Sequence, residues 1–162
     1  MKINKQKAIA AFLVVILIAF IPLGAAAPIG ASESATVKAA KSWIGVKVVH
    51  GGNDRSSIDC SHLVYRVYKQ VGAKSIVLQT VANMKKNKYY VTTTSHRPGD
   101  VIFWKKDVTK NGKKYWLAAH VGIYIGNGKF IHASDETRKV ATDSISGMYK
   151  DGMPYYARWS HT

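Results

Sequence analysis

The run His120-Val121-Gly122-Ile123-Tyr124-Ile125-Gly126-Asn127-Gly128-Lys129-Phe130-Ile131-His132-Ala133-Ser134 constrains the fold more than any other stretch of the chain. Two β-rich segments flank Gly126-Asn127-Gly128, a strong hairpin signal. With all three of those residues in the loop, Ile125 faces Lys129 and Gly122 faces His132. Side chains alternate between the faces of a strand, so His120 and His132 then share one face, diagonal to each other. The opposite face carries Val121, Ile123, Ile125, Ile131 and Ala133, a continuous apolar set. A two-residue Asn-Gly loop would put the histidines on opposite faces, so the expectation depends on the three-residue loop. Gly122 has no side chain and leaves room for the His132 ring.

A helix is expected upstream, in Ser57-Ile58-Asp59-Cys60-Ser61-His62-Leu63-Val64 and the residues that follow. Leu63, Val64, Val67 and Val71 recur at helical spacing and Gly72 ends the run. Asp59 suits the N-cap, where a carboxylate accepts from an otherwise unpaired backbone N–H. Positions 60, 64, 67 and 71 fall on one face, so the Cys60 thiol sits in the first turn and points toward whatever the helix packs against. The positive end of a helix favours thiolate over thiol, one way a nucleophilic cysteine is built. Cys60 is the only cysteine, so it has no intramolecular disulfide partner, and the alternative for a lone cysteine is a small buried hydrophobe. A thiol at a helix start, a histidine, and a second polar group to orient that histidine form a nucleophile–base–orienter set. Cys60, His120 and His132 are the candidates.

The chain begins with Lys2, Lys5 and Lys7, followed by an uncharged stretch over residues 8–31. Pro22 and Gly24 break its apolar heart, and Ala25-Ala26-Ala27 supplies small residues. This is the pattern of a secretory signal, with cleavage after Ala26 or Ala31. The stretch also has the length to span a bilayer, so an uncleaved membrane anchor over residues 8–31 is the alternative. Export to the periplasm, the cell wall or the medium is expected either way. Residues 32–162 are then a single domain with one core, expected as a monomer.

The formal net charge is +15, and setting aside the three leader lysines leaves about +12. Such a surface favours polyanions. For an exported protein these are wall carboxylates, teichoic acids or anionic lipids; nucleic acid is not expected, because no motif for it is present. Export without disulfides fits the single cysteine.

The remaining elements follow from local pattern. Residues 34–44 read as an amphipathic helix with Val37, Ala40 and Ile44 inward and Gly45 as the stop. Residues 46–50 are short and extended, and Gly51-Gly52-Asn53-Asp54 is a turn. A short helix is expected over residues 75–86 and a strand over residues 89–94. Arg97-Pro98-Gly99-Asp100 is a turn and Val101-Ile102-Phe103-Trp104 a buried strand. Residues 105–114 read as a charged loop with an Asn111-Gly112 turn, and residues 155–159 as a last strand. His96 and His161 are expected at the surface. Helices preceding a predominantly antiparallel sheet give an α+β fold.

Four segments in order, Gly51-Gly52, Asp59-Cys60-Ser61 with Leu63-Val64, Arg97-Pro98-Gly99-Asp100, and the hairpin from His120 to Ser134, make the chain resemble the NlpC-type (NlpC/p-sixty) family of cell-wall cysteine endopeptidases. The resemblance implies a papain-like α+β fold, with a helix carrying the nucleophile at its N-terminus. It implies Cys60 as nucleophile, His120 as base and His132 as the third polar residue. It implies cleavage of amide bonds in peptidoglycan stem peptides, commonly between D-glutamate and a diamino acid, with no metal or organic cofactor. The chain departs from the family pattern at three places. Val48 and His50 stand where an aromatic pair is usual before the double glycine, and His62 stands where glycine usually follows Asp-Cys-Ser. Asp59, Ser61, His62 and His50 are the candidate substrate-binding residues. Because of the three departures, an acyltransferase or amidase acting on another envelope substrate is a second reading; a wall-binding module with little activity, for which the basic charge alone would serve, is a third.

Overall fold

The computed structural model describes residues 34–148 and 154–160, which fall within the unit Ser32–Thr162. The leader expected over residues 1–31, with its cleavage positions, and His161 lie outside the described residues. Among the described residues no helix is long and apolar enough to cross a membrane.

Three helices come first: α1 (Ala35–Lys41), α2 (Cys60–Gln70) and the single turn α3 (Val81–Met84). The strands follow as β1 (Tyr90–Thr93), β2 (Val101–Lys110), β3 (Lys113–Gly126), β4 (Lys129–Ser134), β5 (Lys139–Ser144) and β6 (Pro154–Trp159), with the short α4 (Ile145–Met148) between the last two. The six strands form one sheet in the order β1-β6-β2-β3-β4-β5, every pairing antiparallel. The fold is α+β, as expected.

Helix α2 forms where the sequence places it. The Asp59 carboxylate accepts from the His62 N–H at 2.8 Å, and Leu63, Val64 and Val67 are fully buried. They pack with Val121, Ile123, Ile131 and Phe103 in the main core between the helices and one face of the sheet. The other face has a smaller apolar cluster: Ile102, Trp104, Tyr124, Phe130 and Ile145. The turn before β2 is fastened to the last strand. Buried Asp100 receives Arg158 Nε and Nη2 on its two oxygens, both at 2.8 Å, and the Arg97 N–H at 2.8 Å. Tyr68 of α2 donates its hydroxyl to the Gly99 carbonyl at 2.6 Å, so the same turn also holds α2.

Several local expectations change. Residues 105–114 are not a loop: β2 and β3 continue as a long ladder to Lys110↔Lys113, closed by Asn111-Gly112. Its tip is exposed at Thr109, Asn111, Gly112 and Lys113, so the apolar alternation that marks a half-buried strand is missing there. The helix expected over residues 75–86 shrinks to α3, capped by Thr80. In the first helix Trp43 is buried in place of Ile44, which is 49% exposed, because α1 ends at Lys41 and the helical period lapses before residue 44.

The hairpin reaches the expected register by another route. Its loop is two residues, Asn127 (φ 52) and Gly128 (φ 67), the pair of positive φ angles of a type I′ turn. Pairing runs Gly122↔His132, Tyr124↔Phe130, then Gly126↔Lys129. Ile125 is therefore the extra residue of a β-bulge, and it supplies the offset that a third loop residue would have given. A second bulge lies on the same strand. Trp104 pairs with His120 but Lys105 with Ala118, which leaves Ala119 as the extra residue just before His120.

Candidate active site

Cys60 is the first residue of α2 and opens into a cleft of ≈ 710 Å³. His120 lines the same cleft, as do Asp59, Ser61, His62 and His50. The facing wall comes from residues 78–82 around the start of α3, and Ala118 and Ala119 lie next to His120. The Ala119 bulge re-aims the strand at this point, a common device beside reactive groups. It puts Ala118 and Val121 into the same helix-covered core and leaves His120 on the face opposite Val121.

The two histidines meet. His120 Nε2 lies 2.7 Å from His132 Nδ1, with the rings nearly perpendicular at 85°. His132 is 3% exposed, held against Phe130 at 4.6 Å between ring centroids. Trp104 packs on His120 at 5.7 Å. His132 Nε2 in turn lies 2.6 Å from Asp143 Oδ2. Asp143 is on β5, opposite Phe130 in the ladder. The sequence reading did not single it out. The alternation Val140, Ala141, Thr142, Asp143 puts it on the face away from buried Val140, but its register against β4 depends on the turn at residues 135–138, which no turn dipeptide marks.

Burial sets the charges here. It pushes the Cys60 thiol up to about 11, helped by the Asp59 charge and opposed by hydrogen bonds from the backbone of Val121 and Ser61. It pushes His120 down to about 3, with His132 adding to the shift. His132 is also lowered by burial, against the hydrogen bond and charge of Asp143. This direction runs against the expectation that the helix start would favour a thiolate: withdrawal from water is the largest cause, and the Asp59 charge beside the thiol is negative. Neither Cys60 nor His120 ionises readily alone. Transfer of the Sγ proton to His120, which lines the same cleft, would charge both together and keep the pair neutral overall.

Asp59 is fully engaged. Its Oδ1 accepts from the His62 N–H at 2.8 Å and the Ser61 hydroxyl at 2.9 Å, and its Oδ2 accepts from the Gly51 N–H at 3.0 Å. Burial raises its pKa, but bonds from His62 and Ser61 outweigh that and hold it below its ordinary value. His62 Nδ1 sits 2.8 Å from Asp59 Oδ1, outside the alignment of a hydrogen bond. Val48 is buried and His50 exposed. Both line the cleft, and Val48 offers no side-chain donor. Asp135 and Arg138 also reach the cleft, a contribution from the β4–β5 turn that the sequence reading missed. Among the described residues no group of His, Cys, Asp and Glu is placed to hold a metal ion.

The chain is similar to known proteins in sequence and in fold. The model of the NlpC/P60 family matches residues 45–156. The murein DD-endopeptidase MepS/murein LD-carboxypeptidase of Escherichia coli K12 is 33% identical over 92 residues, 57% of this chain and 44% of the relative. A probable endopeptidase of Corynebacterium glutamicum is 31% identical over 136 residues, 84% of this chain and 57% of the relative. The chain thus spans less than half the length of the first relative and somewhat over half of the second. The crystal structure of the NlpC/p60 domain of the peptidoglycan hydrolase SagA aligns with a TM-score of 0.56 at 31% identity, covering 76% of this chain and 94% of that one.

Proposed function

This chain belongs to the NlpC/P60 family, and on that premise we propose that it is an exported cysteine peptidase hydrolysing amide bonds in peptidoglycan stem peptides. The observation that carries the reading is the shared cleft of Cys60 and His120, with His120 held from behind by His132 at 2.7 Å. The names of its relatives, a murein endopeptidase and a peptidoglycan hydrolase, supply the substrate class.

In this reading Cys60, His120 and His132 form the working triad. The thiol proton moves to His120 as Sγ attacks the scissile carbonyl carbon. The negative charge that develops on the carbonyl oxygen is met by the Cys60 backbone N–H, one of the N–H groups that a helix start leaves without an intrahelical partner. His120 returns the proton to the leaving amine, and a thioester remains on Cys60. Water then attacks the thioester, giving its proton to His120 and restoring the thiol. His132 keeps the His120 ring in line throughout.

The scissile bond we propose is that between D-glutamate and the diamino acid of the stem. The name of the Escherichia coli relative favours a second reading, cleavage of a D,D cross-link or an L,D terminal bond. Asp59 and Ser61 serve mainly as a clasp between the Gly51 turn and α2, while His62 and His50 are the side chains left to meet substrate. Defined muropeptides incubated with the protein and read by mass spectrometry test both readings: the masses of the fragments identify the bond, and no fragment from any stem contradicts both.

A further inference from the structure

We propose that Asp143 is a positioning residue that sets the tautomers of both histidines, so that the basic nitrogen of His120 faces Cys60. The proposal rests on the reading of His120 as the base. A carboxylate at neutral pH only accepts hydrogen bonds. Asp143 Oδ2 lies 2.6 Å from His132 Nε2, so that nitrogen carries the His132 proton. A neutral imidazole has one N–H, which makes His132 Nδ1 an acceptor. The 2.7 Å contact between the rings is then filled by an N–H on His120 Nε2. His120 is left with a bare lone pair on Nδ1, the nitrogen not used by His132 and available to the Cys60 proton. These tautomers follow from the network, since hydrogens are assigned rather than observed.

The alternative assignment fails on the same geometry. A charged His132 would donate from both nitrogens. His120 Nε2 would have to accept, and its own proton would move to Nδ1, where the base is needed. The charged or titratable groups facing His132 are Asp143 from β5, Asp135 from the β4–β5 turn and His120 from β3. Burial at 3% exposure keeps it neutral against both carboxylates. Asp143 itself has a side chain 40% exposed, so water partly replaces it when it is removed. The loss should therefore be far smaller than that of the base.

The test uses the full chain with Asp143→Ala, Asp143→Asn and Asp143→Glu. Asp143 is on the edge strand β5, and its removal opens no core cavity. Nitrogen NMR of the histidine rings at neutral pH should show His120 protonated at Nε2 in the wild type and Asp143→Glu. It should show a mixture of tautomers in Asp143→Ala and Asp143→Asn. On a soluble stem peptide kcat should fall about 10- to 100-fold in Asp143→Ala, the range typical of lost outer-shell orienters, with KM little changed and part of the rate regained in Asp143→Glu. In a His132→Gln background, which has no ring tautomer to set, Asp143→Ala should cost little more. An unchanged His120 tautomer in Asp143→Ala overturns the proposal, as does an equal loss in both backgrounds. The NMR result needs no substrate, so it stands apart from any failure of the peptidase reading.

Discussion

Gly122 stands directly across the β3–β4 ladder from His132, and the space beside its Cα is already full. A Cβ there would lie 2.9 Å from the Ile131 carbonyl oxygen, 2.9 Å from Phe130 Cδ2 and 3.2 Å from His132 Cβ. The sequence alone suggests that a valine at this position would damage activity more than stability. The backbone contact changes that expectation, because a ladder carbonyl cannot swing aside. Gly122→Ala should cost about 1–3 kcal/mol, the usual range for overpacking, and should lower turnover as His132 shifts. Gly122→Val should be worse on both counts. Thermal unfolding and kcat measured together check this; a Gly122→Ala protein with wild-type melting and turnover contradicts it.

The two histidines should respond differently to substitution. If His120 is the base proposed above, His120→Asn should cost about 100- to 10,000-fold in rate. His132→Asn or His132→Gln can still hydrogen-bond His120 and should keep partial activity, while His132→Ala should lose much more. Steady-state rates on one soluble stem peptide decide it. Wild-type activity in His132→Ala would remove His132 from the triad.

Burial of a neutral pair predicts an unusual pH profile. His120 gains a proton only near 3 and Cys60 loses one only near 11, so the pair holds one transferable proton throughout the range between. Log kcat/KM should therefore show no limb from this pair near 6.5, the ordinary histidine value, and alkylation of Cys60 by iodoacetamide should rise only above the ordinary thiol value of about 8.5. Stability should respond to pH in a range where this pair leaves activity flat. The unfolded chain protonates His120 near its ordinary value of about 6.5, whereas the folded chain resists down to about 3. The His120 contribution to stability is then full above about 6.5 and is lost as pH falls from there, because the unfolded state binds more protons. Alkylation centred well below 8.5 would instead mean a standing thiolate.

Charge should govern attachment to the wall. Lys85 and Lys105 approach the Tyr155 ring at 6.0 and 5.0 Å, and Lys88 lies 5.2 Å from the Tyr89 ring, a basic and aromatic surface just beyond α3. Exposed charges are screened beyond about 8 Å at physiological ionic strength. Binding to intact walls should fall steeply with salt, and Lys85→Gln with Lys105→Gln should weaken it several-fold. Cleavage of a small soluble stem peptide should change little. Equal salt sensitivity in a wall sedimentation assay and the peptide assay would place the basic residues at the cleft itself.

Local chemistry carries its own signature, and what the sequence made legible was of this kind. Asp59 before an apolar helical run marked the start of α2, and Gly126-Asn127-Gly128 marked the hairpin, although its loop proved to be two residues. The pairing of Gly122 with His132 was right for a reason only half seen: the offset came from the Ile125 bulge rather than a third loop residue. Bulges have no strong residue code, so neither Ile125 nor Ala119 could be read in advance. The long β2–β3 ladder was hidden because its tip is solvated and lacks apolar alternation. Asp143 was hidden because its role depends on register across three strands. The helix polarity that favours a Cys60 thiolate is visible in sequence, whereas the degree of burial and the Asp59 charge that raise its pKa are set by the packing.

The most direct test of the account is the conversion of defined muropeptides by the wild type and by Cys60→Ala, followed by mass spectrometry after both proteins are shown to share one melting curve. The account predicts that the wild type releases fragments matching hydrolysis of a single stem-peptide amide and that Cys60→Ala releases none. Fragments from Cys60→Ala at a near-native rate would make Cys60 a structural residue and contradict the account.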